Sequence, residues 1–416
     1  MIEIIGKQKC SGCAACASIC PVKCISMEAD SEGFLYPKVD SEKCIHCNGC
    51  DNVCPIKNTS FCEKSGYPEA YLGYSLDQIL RTKSAAGGGF GSIAKWFLQT
   101  YNGVVIGAAY DDSYHVKHIC IEKIEELWKL QKSKYVQSEI GNTFLDAKRL
   151  LKDGRYVLFS GTPCQVYGLK SYLKNTDDSR LLCVDFSCHG VPSPMVLEKY
   201  LNYLENKNGK IKSFVMRDKI IHEDSYVQGF GIEFDNGSKI FNTHTEDLYG
   251  RCFWGEIASR PSCYECHFKT VWRAADITLG DCWFFNCFVP QECDNMGVTM
   301  FLAQNQKGSK VIEDCDLLKL YSVSSEQIIK ANGGMIYNSA LPNINREVFF
   351  DRLNKDDFCH LVNELTSKPK QKNKNIRLIM EKTGLKFSVL KRLRRRKLLN
   401  QRLKRVIPKT ALGEMK

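Results

Sequence analysis

From about residue 65 onward the chain alternates between two hydrophobic periods, and before that point there is almost none. Residues 1–64 are rich in turn formers with little apolar periodicity, so this segment must fold around something other than a large core. A linker near Ser65–Pro68 leads into alternating strand and helix patterns. Gly91–Thr100 repeats apolar residues at helical spacing and is followed by the apolar run Val104–Ala109. Tyr156–Ser160 reads as a buried strand, Gly161–Pro163 as a turn, Cys164–Leu173 as a helix and Leu181–Phe186 as the next strand. Such a βαβ unit favours parallel neighbouring strands. A helix is predicted past Pro192 to about Glu205, with strands at Lys212–Met216, Gly231–Phe234, Ala275–Leu279 and Val298–Ala303. The expected fold is α+β, with an α/β core over residues 65–367 between an N-terminal domain of residues 1–64 and a helical tail of residues 368–416.

The tail changes the picture of charge. It holds 18 Lys or Arg against Glu381 and Glu414, which is +16, so residues 1–367 carry about −5, the difference from the whole-chain +11. Val389, Leu393, Leu399, Leu403, Val406 and Ile407 project to one side of a helix, while most of the basic residues point elsewhere; Leu390 and Leu398 break the stripe. A basic amphipathic helix of this kind suits an anionic membrane surface or a partner, and a solvated tail is the alternative. Phe387 is its one aromatic residue, which argues against nucleic acid. The start of the sequence has no secretory pattern and no apolar run reaches about 20 residues. The expected location is cytoplasmic, with peripheral attachment at the inner face of the membrane through the tail.

Ten of the 22 cysteines lie in residues 1–64. Cys10, Cys13, Cys16 and Cys20, followed by Pro21, are spaced as two, two and three intervening residues. Cys44, Cys47, Cys50 and Cys54, followed by Pro55, repeat the pattern, which is the bacterial 4Fe–4S ferredoxin run. Because the fourth cysteine of each run serves the other cluster, Cys10, Cys13, Cys16 and Cys54 are expected to hold one cluster and Cys44, Cys47, Cys50 and Cys20 the second. Zinc accepts the same ligands but favours paired knuckles over two such runs. Cys24 and Cys62 are left over.

A further set depends on the fold. Cys164 and Cys188 each follow a strand of the βαβ unit, so both thiols should face the crevice at the strand ends where α/β sheets bind ligands. Cys263 and Cys266 form a knuckle with no second knuckle nearby. The four together would complete one site, for an iron–sulfur cluster or for zinc, and Cys252, Cys282, Cys287 and Cys293 lie close enough in sequence to compete for a place in it. The run from Ser84 through Gly87, Gly88 and Gly89 opens a predicted helix, whose free amide groups suit an anionic phosphate.

The segments SAAGGGFGSIAKWFL, KYVQS, FSGTPCQVYGLKSYL, VDFSCHGVPSP, RPSCYECHFK and ADITLGDCW resemble the beta subunits of coenzyme F-420 hydrogenases and dehydrogenases over about residues 65–345, with a two-cluster ferredoxin fused in front. That resemblance implies an FAD-binding core with a third 4Fe–4S cluster, on Cys164, Cys188, Cys263 and Cys266. It implies flavin contacts from Ser84, Gly87, Gly88, Gly89, Lys134, Gly161 and Thr162, with Lys134 offsetting the charge of a reduced flavin or its pyrophosphate. His189 and Asp281 are the catalytic candidates, the first as a proton donor, the second as a cofactor or turn carboxylate. The leading expectation is a flavin-dependent iron–sulfur reductase, fed by a ferredoxin or a reductase and acting on a small organic acceptor. The alternatives are an electron-relay subunit for a partner enzyme and an accessory protein of surface-polysaccharide biosynthesis.

Overall fold

The computed structural model describes residues 2–3, 6–58, 64–222, 225–282, 284–289, 294 and 296–366. The tail, Cys62 and Cys293 lie outside the described residues. The expected order of an N-terminal ferredoxin-like region and an α/β core is observed, and no described helix is long and apolar enough to cross a membrane.

In the N-terminal region β1 (Ile25–Ala29) and β2 (Leu35–Val39) form an antiparallel pair. The core strands are β3 (Glu69–Ser75), β4 (Val104–Tyr110), β5 (Val116–Ile121), β6 (Val157–Ser160) and β7 (Leu181–Phe186). After them come β8 (Ile211–His222), β9 (Ser225–Phe234), β10 (Lys239–Thr243), β11 (Ile277–Asp281), β12 (Thr299–Ala303) and β13 (Leu318–Ser322). Among the described residues one sheet has eight strands in the order β13-β3-β12-β11-β7-β6-β4-β5. Its centre, β4, β6, β7 and β11, is parallel, and the flanking strands are antiparallel. Strands buried on both faces need continuous apolar runs. Val104, Val105 and Ile106, Val157, Leu158 and Phe159, and Leu181 to Val184 supply them, all nearly free of solvent.

The expected βαβ unit is present, with helix Pro163–Tyr172 joining β6 to β7 in parallel register. Thr162 caps that helix reciprocally with Gln165, and Pro163 opens it, a combination that stops the strand and aims the helix N-terminus at the strand-end crevice. The strand signals around 212–216 and 231–234 belong elsewhere. They are parts of β8 and β9, which pair with β10 in a separate antiparallel sheet. That small sheet packs Phe214, Phe230 and Phe234 against helix Pro194–Asn208 and Tyr249.

The N-terminal region is anchored to the core by charge and by close approach. Arg346 grips the Glu32 carboxylate with two bonds of 2.9 and 2.6 Å. Gly168, inside the βαβ helix, packs closely on the N-terminal region, since a Cβ there would lie 3.0 Å from the Cys13 Cβ.

Candidate functional site

The two N-terminal runs bend alike. The residues on either side of the second cysteine are left-handed in both: Gly12 and Ala14 (φ 68° and 61°) in the first, His46 and Asn48 (φ 53° and 57°) in the second. Only glycine takes that conformation freely, and other residues hold it where the surroundings enforce it. The result turns successive thiols inward. Cys10, Cys13, Cys16 and Cys54 line one cavity, and Cys44, Cys47, Cys50 and Cys20 line a tighter one. The structure thus brings together the crossed sets read from the sequence. Cys24 joins the second cavity, with its Sγ 3.4 Å from that of Cys20. The second site is the outer one: Cys47 is exposed and Ile45 beside it is 60% exposed.

Cys164, Cys188, Cys263 and Cys266 also share one cavity, to which Lys9, Ser11 and Ile56 of the N-terminal region contribute. Cys164 follows β6, and Cys188 follows β7, as the parallel unit requires. Burial pushes the Cys164 thiol up, and the neighbouring Cys266, Cys188 and Cys13 add to it. Bare thiolates are therefore disfavoured here, so a metal must displace the protons as it binds. Among the described residues no three His, Cys, Asp or Glu side chains are placed to hold a single metal ion. Three of the competing cysteines are elsewhere. Cys252 is in the core with Tyr249 and Phe349, Cys282 packs with Phe285 and Val289, and Cys287 packs with Phe284.

A larger cavity, about 300 Å³, opens beside this cage. Thr162, Cys188, His189, Gly190 and Val191 line both. Ser84, Gly88, Gly89, Lys134, Gly161, Thr162, His189 and Asp281 all line the larger one, as expected. Gly88 is left-handed (φ 88°) and caps helix Gly89–Tyr101, whose first amide, Gly89 N, donates to Thr299 Oγ1 at 3.2 Å. The small sheet holds the glycine loop in place. Lys219 Nζ donates to the Ala86 carbonyl at 2.6 Å, and the Gln228 amide donates to that of Ala85.

Gly87 does not line the cavity, which corrects its expected part in binding. A Cβ there would lie 2.6 Å from Thr299 N and 2.8 Å from the Gly73 carbonyl oxygen. The pattern of a glycine run cannot say which glycine faces a ligand and which admits a neighbouring strand. Gly87→Ala is accordingly expected to destabilise the protein by about 1–3 kcal/mol through overpacking. Urea denaturation checks it, and an unchanged midpoint would return Gly87 to the ligand-facing set.

The two catalytic candidates have partners that the sequence did not reveal. His189 Nε2 meets the Glu256 carboxylate, and its ring lies 5.0 Å from that of Trp254. Asp281 ends β11 and receives two bonds from Arg217 of β8, at 3.3 and 2.7 Å. Arg217 sat unnoticed in the run Phe214-Val215-Met216-Arg217, where a charge after three apolar strand residues was the available signal. His118 was missed as well. It lies on the buried face of β5, stacks on Phe159, and bonds Ser138 Oγ and the Ser160 carbonyl, each at 3.0 Å. Burial pushes its pKa down to about 4, so it is neutral.

Residues 154–326 match the family model for the carboxyl-terminal region of the coenzyme F420 hydrogenase/dehydrogenase beta subunit. Residues 9–58 match that of a 4Fe-4S dicluster domain. Residues 154–326 thus form a domain of the coenzyme F420 hydrogenase/dehydrogenase beta-subunit type. This beta-subunit domain carries the strand-end cysteines and the knuckle, and the dicluster domain carries both ferredoxin runs, so the chain is an iron–sulfur electron-transfer protein of an oxidoreductase family. No curated protein matches it. Among solved structures, the F420-reducing [NiFe] hydrogenase complex from Methanosarcina barkeri, in a xenon derivative, contains a chain 15% identical to this one. The match has a TM-score of 0.46 and covers 73% of this chain and 96% of that one.

The larger cavity has the chemistry of a cofactor site. Asp185 Oδ2, Ser187 Oγ and Arg217 Nε are buried around it without hydrogen-bond partners among the described residues. Buried polar atoms rarely stay unpaired, and its volume lies at the lower end of the range for small-molecule pockets. These groups leave two donors and an acceptor for a polar ligand.

Proposed function

We propose that this chain is an iron–sulfur flavoprotein reductase, in which the two N-terminal clusters, a third 4Fe–4S cluster on Cys164, Cys188, Cys263 and Cys266, and FAD in the 300 Å³ cavity serve one electron path to an organic acceptor. The observation that carries this reading is the sharing of walls. Lys9, Ser11, Ile56 and His267 border both the Cys10 cage and the Cys164 cage, and Thr162 and Cys188 border both that cage and the large cavity. Clusters carry single electrons, and a flavin accepts electrons singly and releases them as a hydride.

The chain's own groups have definite tasks in this scheme. Gly88, at the start of helix Gly89–Tyr101, would offer its backbone amide to an anionic phosphate. Lys134, with its ammonium 2.9 Å from the Gln131 carbonyl, would face the same charge. Arg217 fixes the Asp281 carboxylate at the end of β11, and Glu256 orients His189 at the wall between cage and cavity, where it would hand a proton to substrate.

The decisive experiment is flavin analysis of anaerobically purified protein. Bound or readily rebound FAD supports the reading; protein that carries no flavin and takes up none overturns it, and the chain is then a relay for a partner enzyme, which the exposed Cys47 and Ile45 favour as a second reading. Lys134 gives a finer check. Burial pushes its pKa down to about 7, so at pH 8 it is mostly neutral, and an arriving phosphate restores its charge. FAD binding should therefore take up close to one proton at pH 8 and less at pH 6, seen by calorimetry in buffers of different ionisation enthalpy. Lys134→Met should abolish that uptake and weaken binding about tenfold to a hundredfold, the value of a charge-assisted hydrogen bond.

A further inference from the structure

Arg260 is fully buried, yet its three bonds all go to neutral acceptors. Nε donates to the Cys10 carbonyl at 2.9 Å, Nη1 to Gln137 Oε1 at 2.8 Å and Nη2 to the Leu35 carbonyl at 3.0 Å. Its guanidinium also lies over the Tyr36 ring, 4.1 Å from the centroid. Among the described residues no carboxylate comes within ion-pair distance of it. A buried charge without a counter-charge is costly, and buried charges are normally paired or face a metal site. The anion nearest at hand is the Cys10, Cys13, Cys16 and Cys54 cage. Gly12, inside that loop, has so little room that a Cβ on it would lie 2.9 Å from Arg260 Nη1.

The outer cage is set differently. Lys9 and Lys57, with Glu3, line the inner cage, behind whose loop Arg260 is buried, whereas among the described residues no Lys or Arg lines the outer one, and Lys43, next in sequence to Cys44, is exposed and paired with Asp40 at 2.6 Å. A cubane gains one negative charge on reduction, so a fixed, desolvated cation favours the reduced form, and net charge and solvent exposure are among the levers that set cluster potentials. We propose that Arg260 holds the inner N-terminal cluster at a higher reduction potential than the outer one, so that electrons delivered to the exposed outer site run inward, toward the beta-subunit domain. In this step one electron leaves the reduced outer cluster and reduces the inner one. No bond forms or breaks, and a one-electron donor protein resupplies the outer cluster. The inference needs only the dicluster domain and does not depend on flavin or on the third cluster.

The test is potentiometric titration of the anaerobically purified full chain, followed by electron paramagnetic resonance, with the inner and outer signals assigned through Cys16→Ser and Cys47→Ser. Arg260→Met should lower the inner potential against the outer by at least tenfold in the reduced-to-oxidised ratio, about 59 mV for one electron. Arg260→Lys should keep most of the difference. Should Arg260→Met fail to load iron, Gln137→Glu decides, because it keeps Arg260 and its bonds but sets a carboxylate against the guanidinium; it should move the inner potential the same way. An inner potential unmoved in Gln137→Glu, or equal shifts in both clusters, would overturn the proposal.

Discussion

Cys266→Ser is expected to lower the iron content of anaerobically purified protein from about 12 atoms per chain to about 8, while both N-terminal signals persist. The knuckle supplies two of four thiols to a cage whose other walls come from β6, β7 and the N-terminal region. A serine there leaves the remaining three thiols buried and disfavours cluster assembly. Bound flavin should stay, because among the four cysteines only Cys188 reaches the large cavity, but its reduction by a protein donor should slow sharply. Iron and acid-labile sulfide analysis with stopped-flow absorbance makes the check. Retention of about 12 iron atoms would sink the assignment, and proportionate loss from every site would indicate misfolding instead.

Arg273→Leu should cost about 3–5 kcal/mol of stability at pH 8, because it removes one partner of an ion pair with both side chains only 1% exposed. Arg273 Nη1 lies 3.6 Å from Asp185 and also bonds the Phe186 carbonyl at 2.9 Å. Burial pushes the Asp185 carboxyl up to about 6, against the pull of Arg273. Between about pH 4 and 6 the folded protein therefore binds more protons at this group than the unfolded chain does. Its contribution is present at low pH and is lost as pH rises through about 6. Without Arg273 the variant at pH 8 must bury an uncompensated carboxylate or protonate it, whereas at pH 5 the carboxyl is mostly neutral in both proteins. The penalty should shrink as pH falls from 8 to 5, as measured by urea denaturation under anaerobic conditions. A penalty equal at both pH values would show that the pair's charge is not what matters. Replacing Asp185 by leucine as well should recover much of the loss.

The parts of this molecule that could be read from sequence are those whose partners are local or periodic. Cysteine spacing gave the two N-terminal cages, and the crossed fourth ligand followed from the chemistry of the repeat. Two strands flanking a helix put Cys164 and Cys188 at one edge. What escaped depends on long-range pairing. Arg260 meets Cys10 across 250 residues, Glu256 reaches His189 across 67, and Arg217 acts from a separate sheet whose strands looked no different from those of the main one. Gly87 shows the opposite error, a residue read with the rest of its glycine run as facing a ligand whereas it packs against Thr299 and Gly73. The basic stripe of residues 368–416 lies outside the described residues, so membrane attachment stays an expectation from sequence.

The sites differ in how far apart their ligands lie along the chain. Every thiol of the two N-terminal cages is synthesised by Cys54, and iron can be delivered to that segment while the rest is still being made. The third cage draws on Cys164, Cys188 and the knuckle at Cys263 and Cys266, and its first two thiols meet only after β6 and β7 have paired. The thiols of the first two cages are thus local in sequence, and those of the third are not. On the proposed reading, a chain loaded only at its N-terminal cages would accept electrons and lack the next step of the path.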